Sequence, residues 1–390
     1  MRITLKGLTW DHPRGYAPLL GGVPEYEAQN PEIKIQWDRR TLREFGEAPI
    51  EQYLDRYDLL IVDHPFVGFA AAHGALVDLA LFLNEAEKLH FAADSVGPSW
   101  QSYWYGSGLW ALPIDAATQV ASYRPDLLRA LSTAVPDSVD DVLLLGEKAR
   151  KAGKCIVVPA CPTDAISLFF TVSANLGYPI AEDGERFVDD SVAAEVLDRL
   201  HALITVAHPN SVEWNPIQVY DFMTSSSDAV YCPYGFGYSN YSRVGGSVRL
   251  KFTNAPAVSQ RRCAGTMLGG TGVAISQLSA HQSEAISYAK WLVNPAHQRG
   301  TYFREGGQPA SLAAWTDPSV NARADNFFSG TLQTLETAYV RPRFDGFVRF
   351  FEFAGSETNR CLRGEVKDQA LIRGLNDRYA RQRVAARQIA

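Results

Sequence analysis

Apolar residues at Ile3, Leu5 and Leu8 open the chain as an extended segment. The pattern breaks at Trp10–Tyr16, where polar and aromatic groups crowd a predicted loop. A helix is expected from about Pro18 to Ala28, closed by Pro31, and Ile33 to Trp37 alternates as a second strand. Residues Ile50 to Arg56 read as a short helix with Ile50, Tyr53 and Leu54 on its apolar face. Tyr57 to Val62 reads as a fully buried strand running into Asp63, His64 and Pro65. Strands alternating with helices predict a parallel sheet with covering helices. Ligands of such sheets gather at the carboxyl ends of the strands, where Trp10–Tyr16 and Asp63–Phe66 both fall.

Further along, Ser138 is a fair N-cap for a helix, and Cys155 to Pro159 reads as a strand. Pro162, Thr163 and Asp164 start a helix through Leu168, Phe169, Phe170 and Val172. Ala193 to Val206 is strongly periodic. A strand from Ala229 to Cys232 feeds an aromatic loop, Pro233–Tyr241. Near the end of the middle region a glycine-rich turn enters the short strand Val273–Ile275, followed by an amphipathic helix ending at Trp291, Leu292 and Val293. From Phe327 onward the chain reads as helical and charged, broken mainly at Pro342.

At 390 residues the chain is too long for one ordinary core and suits two lobes. Its 46% hydrophobic and 21% charged content is that of a globular protein. A net charge of −6 argues against a general nucleic-acid binder, which would carry a basic face. Leu59–Val62 and Ile156–Val158 are strand-length only, so no membrane span is expected. The five cysteines form no Cys-x-x-Cys pair, which argues against a zinc site or thioredoxin motif, and their odd number fits a reducing compartment. Met1 leads straight into the first strand: either an export signal has been removed ahead of it, or the protein is cytosolic.

Candidate chemistry clusters at predicted strand ends. Flat aromatic faces at Trp10, Tyr16, Trp104, Tyr105, Trp214, Tyr234, Phe236 and Tyr238 suit the C–H-rich face of a sugar ring. Tyr234, Phe236 and Tyr238 are spaced by two and share one face if that segment is extended. An Asp-His-Pro triplet occurs twice, at Asp11–Pro13 and Asp63–Pro65. Asp11, His12, Asp63 and His64 could hold ligand hydroxyls, or pair as a general base, or take a divalent ion, or Asp could simply cap the following turn. Neighbours on an extended chain point to opposite faces, so a dyad would need Asp63 to reach His12 or Asp11 to reach His64. Gly269, Gly270 and Gly272 lack a following Lys-Ser or Lys-Thr and precede a strand, so they suit close backbone approach to a ligand rather than a nucleotide fold. Cys161 reads as an inert thiol. No catalytic set, metal or organic cofactor is expected.

The run Met267–Ser276, the helix at Ala285–Asn294 and Pro309 follow one another in an order that resembles the extracellular solute-binding proteins of family 1, the sugar-type receptors of ABC importers. His73–Leu79, Trp110–Asp115, Ser122–Arg124 and the helix start at Val135–Val142 resemble further phrases of that family. The resemblance implies a two-lobed α/β periplasmic-binding-protein fold of type II, each lobe a mostly parallel sheet flanked by helices. A multi-strand hinge would cross near 113–120, 262–268 and 305–315. Lobe 1 would comprise 1–115 and 266–308, and lobe 2 would comprise 116–265 and 309–390. It also implies a monomer that closes on a carbohydrate or a polyhydroxylated or acidic relative and delivers it to ABC permease subunits, at the periplasm or cell surface if exported. Ligand contacts would come from Trp10, Asp11, His12, Arg14, Tyr16, Asp63, His64, Trp104, Tyr105, Trp214, Tyr234, Phe236, Tyr238, Gly269 and Gly270. Arg341 and Arg343 match a segment that lines the cleft in the family and would suit an anionic ligand group. The alternative is a cytosolic protein of the same fold, a sensor or an enzyme using the Asp-His pairs.

Overall fold

The computed structural model describes residues 2–180, 184–246, 248–258 and 265–389. Cys263 and part of the 262–268 crossing lie outside the described residues. Among the described residues there are ten strands: β1 (Ile3–Trp10), β2 (Ile33–Arg40), β3 (Leu59–Val62), β4 (Trp104–Tyr105), β5 (Gly108–Leu109), β6 (Leu112–Tyr123), β7 (Cys155–Ile156), β8 (Ala229–Phe236), β9 (Lys251–Thr253) and β10 (Leu268–Ile275). Apart from a small β4–β5 ribbon they form one sheet in the order β2-β1-β3-β10-β6-β8-β7, with β9 also on β6. Parallel pairing joins β1 to β2 and β3, and β7 to β8. The antiparallel pairs within this sheet all involve β6 or β10, the strands that link its two ends.

Two hydrophobic cores sit on this sheet. One gathers Leu5, Leu8, Leu59–Val62, Ile114 and Val273–Ile275. The other gathers Ala121, Val142, Phe169, Phe170, Leu197, Tyr231, Phe350 and Tyr379. Neighbouring residues of β6 and β8 divide between the two cores, Val120 and Cys232 with the first and Ala121 and Tyr231 with the second, as opposite faces of a strand do. The first core also takes Val157, Val219, Tyr220, Ala229, Cys232 and Phe252 from the β8 end of the sheet. Each fully buried Phe or Leu contributes about 1.5–3 kcal/mol to its core. The fold is a two-lobed α/β fold. On the second core, helix Phe347–Leu362 packs along helix Pro162–Asn175, and helix Asp368–Ile389 packs on Phe347–Leu362 and Asp190–Val206. Among the described residues no helix is long and apolar enough to cross a membrane.

Several local expectations are corrected. The first helix runs Pro13–Gln29, not from Pro18, because the His12 ring accepts from the Arg14 amide at 3.1 Å and Pro13 suits the first helical position. The segment 50–56 makes only a 3-10 turn, Ile50–Tyr53. Residues 112–123, which join the phrases at Trp110–Asp115 and Ser122–Arg124, form one continuous strand paired on both flanks. Gly269, Gly270 and Gly272 lie inside β10, with a bulge between Thr271 and Gly272, instead of forming a turn before it. Strand β8 continues to Phe236, so Tyr234 belongs to a buried strand rather than a loop.

Candidate functional site

A cavity of about 360 Å³ is walled in part by Asp115 and Ala117 of β6 and by Gly269, Gly270 and Thr271 of β10. Trp10, Phe45, Phe66 and Tyr238 belong to the first core, Met267 and Phe351 to the second, and all six line it. Ligand sites of this kind are apolar clefts with a few fixed polar groups.

The first polar pair is Arg14 and Asp115. Arg14 projects from the first helical turn after β1, while Asp115 lies within β6. Arg14 Nε donates to Asp115 Oδ2 at 2.8 Å and Nη2 to Oδ1 at 2.5 Å, with both side chains buried. A third bond runs from Nη1 to the Gly237 carbonyl at 2.8 Å. Burial works against the guanidinium charge, but the Asp115 carboxylate more than offsets it and raises the Arg14 pKa. Arg14 also lies 4.6 Å from the Tyr238 ring centroid, a cation–π contact that fixes the ring at the cavity wall. Trp10 meets the same ring edge-on at 6.4 Å.

The second pair is Asp63 and Arg341, joined by a short ion pair at the carboxyl end of β3. Asp63 leaves the strand as the N-cap of a 3-10 turn, so its side chain folds back on its own neighbour. His64 Nδ1 lies 3.1 Å from Asp63 Oδ1, and Arg341 Nε donates to His64 Nε2 at 3.3 Å. A neutral ring with its proton on Nδ1 satisfies both contacts. Burial pushes the His64 pKa down to about 4, which agrees with that neutral form. Burial alone would raise the Asp63 carboxyl, but Arg341 and His64 reverse this and hold it below the usual carboxylate range. The expectation that adjacent Asp and His could not pair is therefore corrected: the chain is turning at Asp63, not extended.

The third group is Asp164, in the first turn of helix Pro162–Asn175. It is buried, lines the cavity and accepts from Cys161 Sγ at 3.1 Å. Burial raises its pKa to about 7. No ion pair holds it among the described residues; the Cys161 hydrogen bond and the helix N-terminus favour its charge, and burial outweighs them. Thr163, Ser167 and Asn215 supply hydroxyl and amide groups beside it.

Of the residues singled out from sequence, Trp10, Arg14, Asp63, Phe236, Tyr238, Gly269, Gly270 and Arg341 line the cavity together. The others are placed elsewhere. Asp11 is exposed and pairs with Arg39 at 3.1 Å. His12 stacks behind Trp10 at 5.3 Å, and burial lowers its pKa to about 4. Tyr16 lies under Arg39 at 4.5 Å. His64 is buried behind Asp63, outside the lining. Trp104 packs on Trp100, Tyr105 lies under Arg343, and Trp214 stacks on His208 at 4.8 Å. Tyr234 is buried in the second core and donates to the Pro256 carbonyl at 2.6 Å. Arg343 ties down the carbonyls of Gln101, Ser102 and Trp104 at 2.8–3.0 Å, so it braces a loop instead of facing the cleft. Asp11, His12, Asp63 and His64 do not form a group of three mutually close ligand atoms among the described residues.

Sequence reading missed Asp115, Asp164, Asn215, Thr271 and Phe351. A lone Asp inside the apolar stretch Leu112–Ala117 was a usable sign of a buried partner. Phe351, on a helix remote in sequence from the other walls, carried no such sign.

The profile of the bacterial extracellular solute-binding proteins matches residues 9–299. Among solved structures, maltose-bound MalE3 of T. maritima superposes with a TM-score of 0.83 at 16% identity, covering 97% of this chain and 99% of that one. An ABC transporter solute-binding protein of Agrobacterium radiobacter K84, in complex with ribitol, gives 0.80 at 20% identity over 97% and 98%. The GacH receptor of Streptomyces glaucescens, solved unliganded and with acarbose, gives 0.80 at 15% identity over 98% of each chain. Comparison with curated proteins gives no match.

Proposed function

The chain belongs to the bacterial extracellular solute-binding protein family, and from that premise we propose that it captures a small polyhydroxylated compound, a sugar or polyol, in the cleft between its lobes for delivery to an ABC importer. The observation that carries this reading is the pairing of aromatic walls with pre-committed charges around one cavity. Trp10, Phe66, Phe236 and Phe351 offer ring faces to the C–H surface of the ligand. Arg14 and Arg341 are each neutralised by a carboxylate, so their remaining N–H groups can bind hydroxyls without demanding an anionic ligand. Asp164, Thr163 and Asn215 serve as the facing acceptors and donors.

Binding to one lobe alone would leave half of these contacts unmade. A ligand touching Trp10 and Phe66 on one side, and Asp164 and Phe351 on the other, favours the arrangement in which the lobes close over it. Strands β6 and β10, shared by both lobes, are the elements about which this closure would turn. Permease subunits would then receive the closed form at the periplasmic or cell-surface side.

The reading is one of binding without turnover. His64 is held by Asp63 and Arg341, and His12 caps a helix, so neither ring is offered to the cleft as a base. Isothermal calorimetry against a panel of monosaccharides, oligosaccharides and polyols tests the proposal. One-to-one binding of a panel member, recovered chemically unchanged, supports it. Absence of binding across the panel, or steady conversion of the bound compound, overturns it.

A further inference from the structure

Away from the cleft, three helices of the second lobe bring an imidazole, a thiol and a carboxylate together. His201 comes from Asp190–Val206, Cys361 from the last turn of Phe347–Leu362, and Asp368 from the first turn of Asp368–Ile389. His201 Nε2 lies 3.0 Å from Asp368 Oδ1, and Cys361 Sγ lies 3.1 Å from the same oxygen. All three ligand atoms are within 4.8 Å of one another. We propose that His201, Cys361 and Asp368 form a binding site for a divalent transition-metal ion, best suited to zinc, with solvent completing a four-coordinate shell.

The donor set argues for the class of ion. Thiolate with imidazole and carboxylate is borderline-soft, which favours zinc over magnesium or calcium, whose ligands are oxygens. The spacing argues for the geometry. Zinc bonds of roughly 2.0–2.3 Å in a tetrahedron put neighbouring ligand atoms about 3.3–3.6 Å apart. The two observed separations are a few tenths of an ångström shorter, as hydrogen-bonded partners are, so small side-chain rotations would admit the ion. Access is also provided. Cys361 is buried, whereas the side chains of His201 and Asp368 are 37% and 41% exposed, leaving one solvent-facing side for entry and for a bound water. On binding, the thiol proton is released to solvent and the cation takes its place between sulfur and carboxylate.

The position suggests a bracing role. Phe351 and Glu352 line the ligand cavity on the same helix that carries Cys361. Ten residues separate Phe351 from Cys361, about 15 Å of helix at 1.5 Å per residue. An ion at the far end would tie the cleft-forming helix to its two neighbours without touching the ligand. The inference stands independently of the ligand assigned to the cleft.

Without metal, the imidazole and the thiol both hydrogen-bond one carboxylate oxygen, so the test must separate the two arrangements. The purified full chain is stripped with chelator and titrated with cobalt(II), whose thiolate complexes absorb in the near ultraviolet. A thiolate-to-cobalt band saturating at one ion per chain and displaced by zinc(II) is expected, with zinc also raising the melting temperature. The band should vanish in Cys361→Ser and persist in Cys155→Ser. His201→Gln changes a part-exposed side chain, so the fold should hold while cobalt affinity falls at least about tenfold. Absence of the band in the native chain, its survival in Cys361→Ser, or unchanged affinity in a folded His201→Gln overturns the site.

Discussion

Arg14 grips Asp115 with two parallel hydrogen bonds, of 2.8 and 2.5 Å, across 101 positions of sequence. One partner stands on the first helix and the other on β6, so the pair locks the first lobe's opening elements to the linking strand. A buried pair of this kind adds little over a well-packed apolar pair, but removing one partner strands the other charge. Asp115→Asn is therefore expected to destabilise the protein by about 3–5 kcal/mol. Urea denaturation of the variant measures it. A loss below about 1 kcal/mol, the scale of an exposed ion pair, would show that the pair is not sealed from water.

Asp164 sets a pH dependence whose sign can be worked out. Its folded pKa near 7 lies above the unfolded value of 3.8. Between those values the folded state keeps a proton that the unfolded chain gives up, so this residue's contribution worsens as pH rises toward 7. His64 runs the other way, with a folded pKa near 4 against 6.5 unfolded, so its contribution is lost as pH falls from 6.5 to 4. Asp164→Asn is expected to be more stable than the native protein at pH 7, by on the order of 2 kcal/mol, with the gap closing toward pH 4. The same variant should bind ligand more weakly by about 1.5–3 kcal/mol, the scale of a hydrogen bond to a charged group. Denaturation midpoints at the two pH values check the first claim and calorimetry the second. An equal stability difference at both pH values would mean that Asp164 does not titrate as described.

Much of the scaffold was legible because it is written locally. β2 shows as alternation of apolar and polar residues, β3 as a run of Leu, Ile and Val between polar breaks, and the helix at Ala193–Val206 as a stripe of 3.6 period. The strand ends at Trp10 and Asp63 pointed to the cleft for the same reason. What failed was backbone direction where elements end. On an extended chain Asp63 and His64 would point to opposite faces, but the chain turns at Asp63 and brings them together. The helix start at Pro13 was missed because His12 caps it with a ring nitrogen, a role more often filled by Ser, Thr, Asp or Asn. Walls such as Phe351, and the meeting of His201 with Cys361 and Asp368, depend on helix packing between distant segments and leave no spacing to read.

The three aromatics expected on one face separate into different roles, and paired variants can show it. Tyr234 is enclosed by the second core with its hydroxyl on the Pro256 carbonyl, while Phe236, two residues on, reaches the cavity. Tyr234→Phe should cost about 1 kcal/mol of stability, one net hydrogen bond, and leave ligand affinity unchanged. Phe236→Ala should weaken ligand binding by about 1.5–3 kcal/mol, one apolar side chain's contact. Calorimetry of both variants with the same compound decides. Weakened binding in Tyr234→Phe together with intact binding in Phe236→Ala would reverse the assignment.

Gly269 and Gly270 are adjacent and both line the cavity, yet they should respond differently to alanine. Gly270 has φ of +101°, a region L side chains rarely adopt, and a Cβ there would fall on the Asp115 carbonyl oxygen of the neighbouring strand. Backbone cannot move aside without shifting Asp115 and, through it, Arg14. At Gly269 the added Cβ would meet the Phe236 ring edge at 2.8 Å, and a side chain that is only partly buried can turn away. Gly270→Ala is expected to lose about 2 kcal/mol or more of stability, combining backbone strain with overpacking, and to lose ligand binding with it. Gly269→Ala should keep most of its stability but change ligand affinity, because Phe236 must leave its place in the wall. Denaturation and calorimetry on the two variants separate these outcomes, and equal stability losses at both positions would refute the distinction.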